Sequence, residues 1–382
     1  MRKWKKESML LVWIPVSVLA LYFILNMVYG KLWHKGLSVH LQFEERDVEE
    51  GDHATLVETV TNDKFLPLPV LTLTFKVDRS IEIDEDRNAS VSDKTNVAEY
   101  YGLGPHEVIT RRQPVVASRR GYYLIEEAGV TLPDFFSETV RYRNTKQAAS
   151  LLVCPRMLEG EEILDLSRQI IGDVISRRRL YQDAFSFRGI REYTPQDPLS
   201  AVNWKASART GNLLVNRRDY TCGQHVRFLL DLEPPSIRYR EELLEQEIRL
   251  AYTLAGLCIR ENIPVSLASN GRDVATGREV EIPSGSSERH LGAIGEALAR
   301  VSLSLAPRSF GEVLREERMG MDSRGAEDLS FCMISSGQSD ALLEEAGALS
   351  GQCGGLFWIC IPDPDVGRKP VPAGVQFVLM PG

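Results

Sequence analysis

The chain has 382 residues, a formal net charge of −8, 43% hydrophobic residues and 26% charged residues. This composition is that of a folded globular protein and excludes a disordered or collagen-like chain. The acidic balance argues against a general nucleic-acid-binding protein, which needs a basic surface to displace phosphate counterions. The length predicts more than one domain, because a single core seldom grows beyond about 250–300 residues.

The chain begins with a basic segment that is followed by an apolar one. Residues 8–30 are 23 positions without a charged side chain, and about 20 suffice for a helix to cross the hydrocarbon layer of a membrane. Four cations precede this run: Arg2, Lys3, Lys5 and Lys6. A cleaved signal peptide is the alternative, but the run is long and ends without a small-residue cleavage site. We therefore expect residues 1–36 to be an uncleaved, single-pass anchor in the cell membrane.

The side of the membrane that holds the remaining residues stays open. The cations before the span favour a cytoplasmic amino terminus, which places the remainder outside. The six cysteines favour the opposite side, because most lie in apolar runs without a CxxC pair and are typical of buried thiols in a reducing compartment. Neither the cysteines nor the six histidines show metal-ligand spacing.

Residues 37–155 contain several short runs in which apolar and polar residues alternate. LSVHLQF, PLPVLTLTFKV and GYYLIEEAGVTL are three of them, and turn residues separate the runs. This period of two predicts strands, and their number and spacing predict an antiparallel β-sandwich. Residues 84–104 are poorly patterned, and we expect them to form a long loop.

Residues 156–225 form a connecting region with a different charge balance. Between residues 168 and 218 there are ten cations and four carboxylates, although the chain as a whole is acidic. Two interpretations of this excess stay open. The cations form a solvated face, or they contact an acidic partner surface or anionic lipid headgroups.

Residues 226–382 alternate strand-like and helix-like segments. VRFLLDL, LSFCMIS and GLFWICI are near-continuous apolar runs, and residues 241–261 carry an apolar stripe with helical spacing. Buried strands separated by helices predict a doubly wound α/β domain with a mainly parallel sheet.

The segment 188–209 is the most distinctive in the chain. Arg191 and Tyr193 are followed by Asp197 and then by the block NWKASAR at 203–209. The segment resembles the signature of a bacterial family known as domain of unknown function 58. Gln196 and Ser200 stand where that family usually has Gly and Arg, and its members usually have two membrane spans where this chain shows one.

The resemblance implies an amino-terminal membrane segment, a β-rich region and a C-terminal region similar to a von Willebrand factor A domain. It also implies partners, namely a MoxR-type AAA+ ATPase and transglutaminase-like membrane proteins, and a role in the cell envelope. The resulting expectation is a multidomain protein with an N-terminal transmembrane helix, an antiparallel β-sandwich and a doubly wound, von Willebrand factor A-like domain.

Two interpretations of the signature stay open. Trp204 offers a large apolar ring with one hydrogen-bond donor, close in sequence to Asp197. The positively charged members are Arg191, Lys205 and Arg209. Asp197 paired with an arginine makes the block a buried clasp between the connecting region and the sheet domain. The other interpretation is a docking surface that includes Tyr193, because Trp and Arg are enriched in interface hot spots.

The loop after the first strand of the last domain is the place where a metal site is expected in such a fold. Von Willebrand factor A domains that bind Mg²⁺ use Asp-x-Ser-x-Ser there, and a later Thr-Asp-Gly. Here Asp231 is retained, but Glu233 and Pro235 replace the two serines, and the later segment is SSG at 335–337. Mg²⁺ demands near-octahedral oxygen coordination. We therefore expect no cofactor, with a loosely held Mg²⁺ on Asp231, Glu233 and Ser236 as the alternative.

The expected function is that of a membrane-anchored, non-enzymatic adaptor that binds other proteins of the cell envelope. The chain has no Ser-His or Cys-His spacing, no GxSxG and no P-loop. The alternative is an adhesin-like protein that binds its ligand through Mg²⁺ and faces outward. An envelope hydrolase is a third, weaker hypothesis.

Overall fold

The structure is a computed structural model that describes residues 2–83, 94–133, 140–180, 187–193, 202–218, 225–235, 241–321, 329–363, 367 and 369–380. The chain divides into two compact units, Met1–Cys154 and Pro155–Gly382. Each unit has its own core and is described separately.

The first unit begins with a helix, α1 (Arg2–Leu32), of 31 residues. The helix continues through Pro15, although proline removes one backbone hydrogen bond. Residues Pro15–Leu32 have a mean hydropathy of 1.4, and none of them is fully buried within the chain. The expected apolar N-terminal helix is therefore confirmed, and it is long enough to cross a membrane. A membrane anchor and a signal sequence share these properties.

Among the described residues of the first unit, nine strands follow α1. They are β1 (Leu37–Phe43), β2 (Asp47–Glu49), β3 (His53–Asn62), β4 (Leu68–Asp78), β5 (Ile81–Ile83), β6 (Lys94–Leu103), β7 (Glu107–Ala117), β8 (Gly121–Pro133) and β9 (Val140–Cys154). One sheet has the order β1-β3-β7-β5 and the other the order β2-β9-β8-β4-β6. All pairs are antiparallel except β2 with β9.

The two sheets share one hydrophobic core, as in a β-sandwich. Leu56 and Val60 from the first sheet and Leu73 and Leu151 from the second belong to this core. The alternation seen in the sequence explains it, because successive side chains of a strand point to opposite faces. Trp33, just after α1, is also buried in this core.

The prediction of a long loop at residues 84–104 is wrong for the second half of that range. Lys94–Leu103 is the strand β6, and it pairs with β4. Its buried face consists of Val97, Glu99, Tyr101 and Leu103. Glu99 interrupts the apolar alternation, and its ion pair with Arg111 of β7 compensates the burial of its charge.

The second unit contains six further helices and nine further strands among the described residues. They are α2 (Glu161–Leu180), β10 (Phe187–Glu192), α3 (Trp204–Thr210), β11 (Leu214–Arg218), β12 (His225–Leu230), α4 (Glu241–Arg260), β13 (Val265–Asp273), β14 (Glu279–Gly285), α5 (Glu288–Ala299), β15 (Val301–Ser302), α6 (Phe310–Gly320), β16 (Leu329–Ile334), α7 (Asp340–Ser350), β17 (Gly355–Cys360) and β18 (Val375–Leu379).

A mixed, mainly parallel sheet forms the centre of this unit. Its order is β14-β13-β12-β16-β17-β18, with only β14 and the short β15 antiparallel to β13. Helices cover both faces, because α2, α4 and α5 contribute to one core and α6 and α7 to another. The expected alternation of strands and helices is confirmed as mixed α/β structure.

Part of the predicted connecting region belongs to the core of the second unit. The helix α2 buries an apolar stripe that comprises Ile163, Leu166, Ile170 and Val174. These residues follow the spacing of an amphipathic helix. Another part of the region forms a separate two-stranded sheet of β10 and β11.

Two helices of the second unit differ in how their serine N-caps act. Ser287 precedes α5, and its Oγ accepts the backbone N–H of His290 at 3.2 Å. Ser309 precedes α6, and its side chain makes no capping hydrogen bond. Instead, the carboxylate of Glu233 accepts the N–H of Phe310 at 3.1 Å.

We predict that Ser287→Ala lowers the free energy of unfolding of the second unit by about 1 kcal/mol, because α5 loses its cap. Ser309→Ala is the matched control and is expected to change it by less than about 0.5 kcal/mol. Denaturant unfolding of the detergent-solubilised full chain measures both values. Equal losses from the two variants contradict the assignment of the caps.

Candidate functional site

The first candidate site is the crevice at the carboxyl ends of β12 and β16. These neighbouring strands are the first and third parallel strands along the chain, so the strand order reverses between them. In open α/β sheets, ligands bind outside the carboxyl ends of the strands at such a reversal. A cleft of about 630 Å³ lies there, and Asp231, Glu233, Phe310, Gln338 and Lys369 are among its lining residues.

Asp231 directly follows β12 and is only 3% exposed. Its Oδ1 accepts the N–H of Glu233 at 2.9 Å and the side-chain amide of Asn270 at 3.1 Å. Its Oδ2 accepts the hydroxyl of Ser335 at 2.7 Å. Burial raises the pKa of Asp231 to about 7, and these hydrogen bonds oppose the rise.

The structure brings two of the three candidate metal ligands to the cleft. Asp231 and Glu233 both line it, whereas Ser236 lies outside the described residues. Both carboxylates accept hydrogen bonds from the protein itself, and Glu233 does so at the start of α6. Among the described residues, no group of three or more His, Cys, Asp or Glu side chains is placed to hold a metal ion.

Glu247 of α4 is a buried neighbour of Asp231 that the sequence interpretation missed. It is 0% exposed, and the hydroxyl and the backbone N–H of Ser336 are the donors that act on its carboxylate. Burial raises its pKa well above the ordinary value, and the charge of Asp231 raises it further. The spacing of the α4 stripe contained the signal, because residue 247 lies three positions after Leu244 and four before Ala251.

The second candidate site is the signature segment, whose centre is the short helix α3. The Oδ1 of Asn203 accepts the N–H of Ala206 at 3.0 Å and caps the start of the helix. Gly211 ends it with φ of 76°, a left-handed conformation that favours glycine. Buried Ser207 holds α3 to the adjacent strand β11, because its Oγ accepts the N–H of Leu214 at 2.9 Å.

The larger side chains of α3 point to solvent. Trp204 is 64% exposed, and Lys205 and Arg209 are exposed as well. The expectation of a buried clasp is therefore wrong for Trp204, since the capped helix buries the small Ser207 and turns the ring outward. A Trp, a Lys and an Arg on one preorganised helix are suited to contact a partner.

The remaining signature residues are placed only in part. The backbone of Arg191 lies in β10 opposite Val215 of β11, but its side chain is outside the described part of the chain. The N–H of Tyr193 donates to the carbonyl of Leu213 at 2.9 Å. Asp197 lies outside the described residues, so its pairing with an arginine stays a prediction.

Comparisons with known proteins give partial likenesses only. No family model matches the chain, and no curated protein is significantly similar to it. Among solved structures, the CARDB domain of the PF1109 protein from Pyrococcus furiosus is 13% identical, with 31% of this chain and 90% of that chain covered and a TM-score of 0.22. The C-terminal domain of wzt is 10% identical, with coverages of 33% and 78% and a TM-score of 0.23. The seventh ScaB type I cohesin from Pseudobacteroides cellulosolvens is 10% identical, with coverages of 32% and 96% and a TM-score of 0.20.

The crevice makes the stability of the second unit depend on pH. The raised pKa values of Asp231 and Glu247 mean that the folded state binds more protons than the unfolded state. The resulting stabilisation is fully present below the unfolded pKa values near 4 and is lost as the pH rises through the folded values, about 7 for Asp231.

We predict that the free energy of unfolding falls between pH 5 and 8, by up to about 1.4 kcal/mol per pH unit for each proton released. Glu247→Gln should flatten this dependence, because the variant has no charge to bury at position 247. Exposed Glu261 provides the control, Glu261→Gln, which should keep the wild-type profile. Denaturant unfolding at several pH values measures it, and an unchanged profile in Glu247→Gln contradicts the assignment.

Proposed function

We propose that the chain is a membrane-anchored, non-enzymatic adaptor that binds a protein partner through the surface around Trp204. The observation that carries this proposal is the 64% exposure of Trp204 on a helix capped at both ends. The second unit is a von Willebrand factor A-like domain in this account, and α1 is an uncleaved anchor.

The exposed ring is costly for a surface that only faces water. A tryptophan buries a large area when it enters an interface, and Trp and Arg are the residues most enriched in hot spots. The caps Asn203 and Gly211 already hold α3 in shape, so little conformational entropy is lost when a partner binds. Exposed Lys205 and Arg209 add positive charge, which favours an acidic partner surface.

The class of partner in this proposal is taken from the family resemblance. It implies a MoxR-type AAA+ ATPase and a transglutaminase-like membrane protein in the same envelope system. An ATPase needs ATP, so this proposal places both units of the chain on the cytoplasmic side. The buried thiols of Cys258 and Cys332 support that side, because unpaired buried thiols persist in a reducing compartment.

The arrangement of the mixed sheet supports the von Willebrand factor A-like assignment. Its five parallel strands have the order second, first, third, fourth and fifth, and Asp231 follows the first of them. That position corresponds to the first aspartate of the family's metal loop. The other ligand positions of that loop differ, as Glu233 and Pro235 show.

A second candidate function, Mg²⁺-dependent ligand binding of the adhesin type, is favoured by one observation. Glu247 is a fully buried carboxylate beside Asp231, and the charge of Asp231 contributes to raising the pKa of Glu247. A cation between the two carboxylates is one way to compensate both charges.

We predict that Trp204→Ala weakens binding of the MoxR-type ATPase from the same organism by at least about 30-fold, the loss expected for a hot-spot residue. The full chain in nanodiscs is titrated with the purified ATPase, and the Kd is measured. Met319→Ala is the matched control, since Met319 is a large exposed side chain elsewhere in the same unit. A wild-type chain that does not bind the ATPase, or equal losses in both variants, contradicts the proposal.

The two candidate functions differ in their response to Mg²⁺. The adaptor predicts no heat of Mg²⁺ binding in calorimetry of the full chain and an ATPase affinity that is unchanged by Asp231→Asn. The adhesin-type function predicts a Mg²⁺-binding heat that Asp231→Asn abolishes. Such a heat decides in favour of the second candidate.

A further inference from the structure

The C-terminal end of α1 is fixed to one end of the first unit. The hydroxyl of Tyr29 donates to the carbonyl of Pro67 at 3.2 Å, and Nη1 of Arg143 donates to the carbonyl of His34 at 2.8 Å. Trp33 is buried in the core between the sheets. The strands therefore continue from the helix without a flexible spacer, and whatever surrounds the end of α1 also surrounds this end of the first unit.

The start of β9 lies beside the last turns of the helix rather than beyond them. The guanidinium of Arg141 donates to the side-chain oxygen of Asn26 and lies against Gly30. Asn26 is six residues before the end of α1, which is about 9 Å along the helix axis. It also falls within the apolar run 8–30. In a spanning helix, this level is where the hydrocarbon meets the headgroups.

The same end of the unit exposes large apolar side chains. Phe65 is 84% exposed, and it precedes Pro67, the residue that contacts Tyr29. Val140 and Tyr142 flank Arg141 in sequence, so they lie at the same level on the opposite face of β9, and they are 61% and 63% exposed. Aromatic rings with this exposure are unfavourable in water but favourable at the level of the headgroups.

Cations accompany these apolar side chains. Lys31 and Lys35 are exposed at the end of α1, and Arg141 lies at the level of Asn26. Carboxylates lie nearby as well: Asp63 is 3.4 Å from the ring of His106, Glu107 accepts the N–H of Gly104, and Glu127 lines a groove with Tyr142. The cations that follow α1 and flank its last turns are the groups that suit a layer of anionic lipid phosphates.

We infer that Phe65, Val140, Tyr142, Lys31, Lys35 and Arg141 form a lipid-binding surface that lies in the headgroup layer and prefers anionic lipids. The inference rests on the proposed membrane insertion of α1. It adds that one end of the β-sheet unit is itself seated in the interface, so that the first unit has a fixed orientation to the membrane.

Photo-crosslinking of the full chain in nanodiscs tests this surface. A benzophenone amino acid replaces Phe65, Tyr142, Leu19 or Leu124, one at a time, and the nanodiscs contain roughly 30% anionic phosphatidylglycerol in phosphatidylcholine. Leu19 lies in α1 and reports insertion of the helix. Leu124 is the matched control at a different level of the same outer groove, since it is 42% exposed on β8 opposite Ser150, eight positions along β9 from Tyr142.

The expected result is lipid adducts from positions 19, 65 and 142, with at least a tenfold lower yield from position 124. Phosphatidylglycerol should exceed its mole fraction in the adducts from 65 and 142. Adducts from position 19 with none from 65 and 142 overturn the inference while leaving the anchor intact. Adducts between two copies of the chain at position 65 also overturn it, and phosphatidylglycerol at only its mole fraction overturns the anionic preference. No lipid adduct at position 19 refutes the anchor itself.

Discussion

A buried carboxylate at the centre of the parallel sheet is the constraint on which the second unit depends. Removing the charge of Asp231 from water is costly unless donors surround it. The donors come from the loop after β12, from Asn270 of β13 and from Ser335 after β16. Glu233 of the same loop in turn accepts the first N–H of α6. The side chains of Asp231 and Glu233 thus connect the loop after β12 with β13, with the loop after β16 and with the start of α6.

This use of Asp231 separates the crevice from the surfaces that we propose for recognition. At the position where α/β proteins commonly bind ligands, Asp231 is engaged in hydrogen bonds within the chain, next to the buried carboxylate of Glu247. We propose two exposed surfaces of the described residues for partners, one in each unit. Trp204 of α3 is suited to an acidic protein, and Phe65 with its neighbours is suited to lipid. In this proposal, the chain binds its partners at these exposed surfaces rather than in the crevice.

The sequence predicted the elements whose side chains repeat regularly, and it failed where a charge interrupts the repeat. The alternation in β1 and the stripe of α4 identified those elements, because the burial of one face follows directly from the period. Glu99 interrupts the alternation of β6, so that strand was not predicted. The burial of Glu247 in α4 was not predicted either. The exposure of Trp204 was not predictable either, since it depends on the caps of α3 and on Ser207, which directs the opposite face toward β11.

The central claim, that both units act with an ATP-dependent partner, requires them to lie on the cytoplasmic side. Charges at the ends of α1 do not decide this, because Lys31 and Lys35 partly balance the four cations at the amino terminus. Protease accessibility of the native chain, compared between intact spheroplasts and lysed cells, is the most direct measurement. The account predicts that the fragment carrying both units resists protease in intact spheroplasts and is cleaved after lysis. Cleavage in intact spheroplasts contradicts it and favours an outward-facing ligand-binding protein.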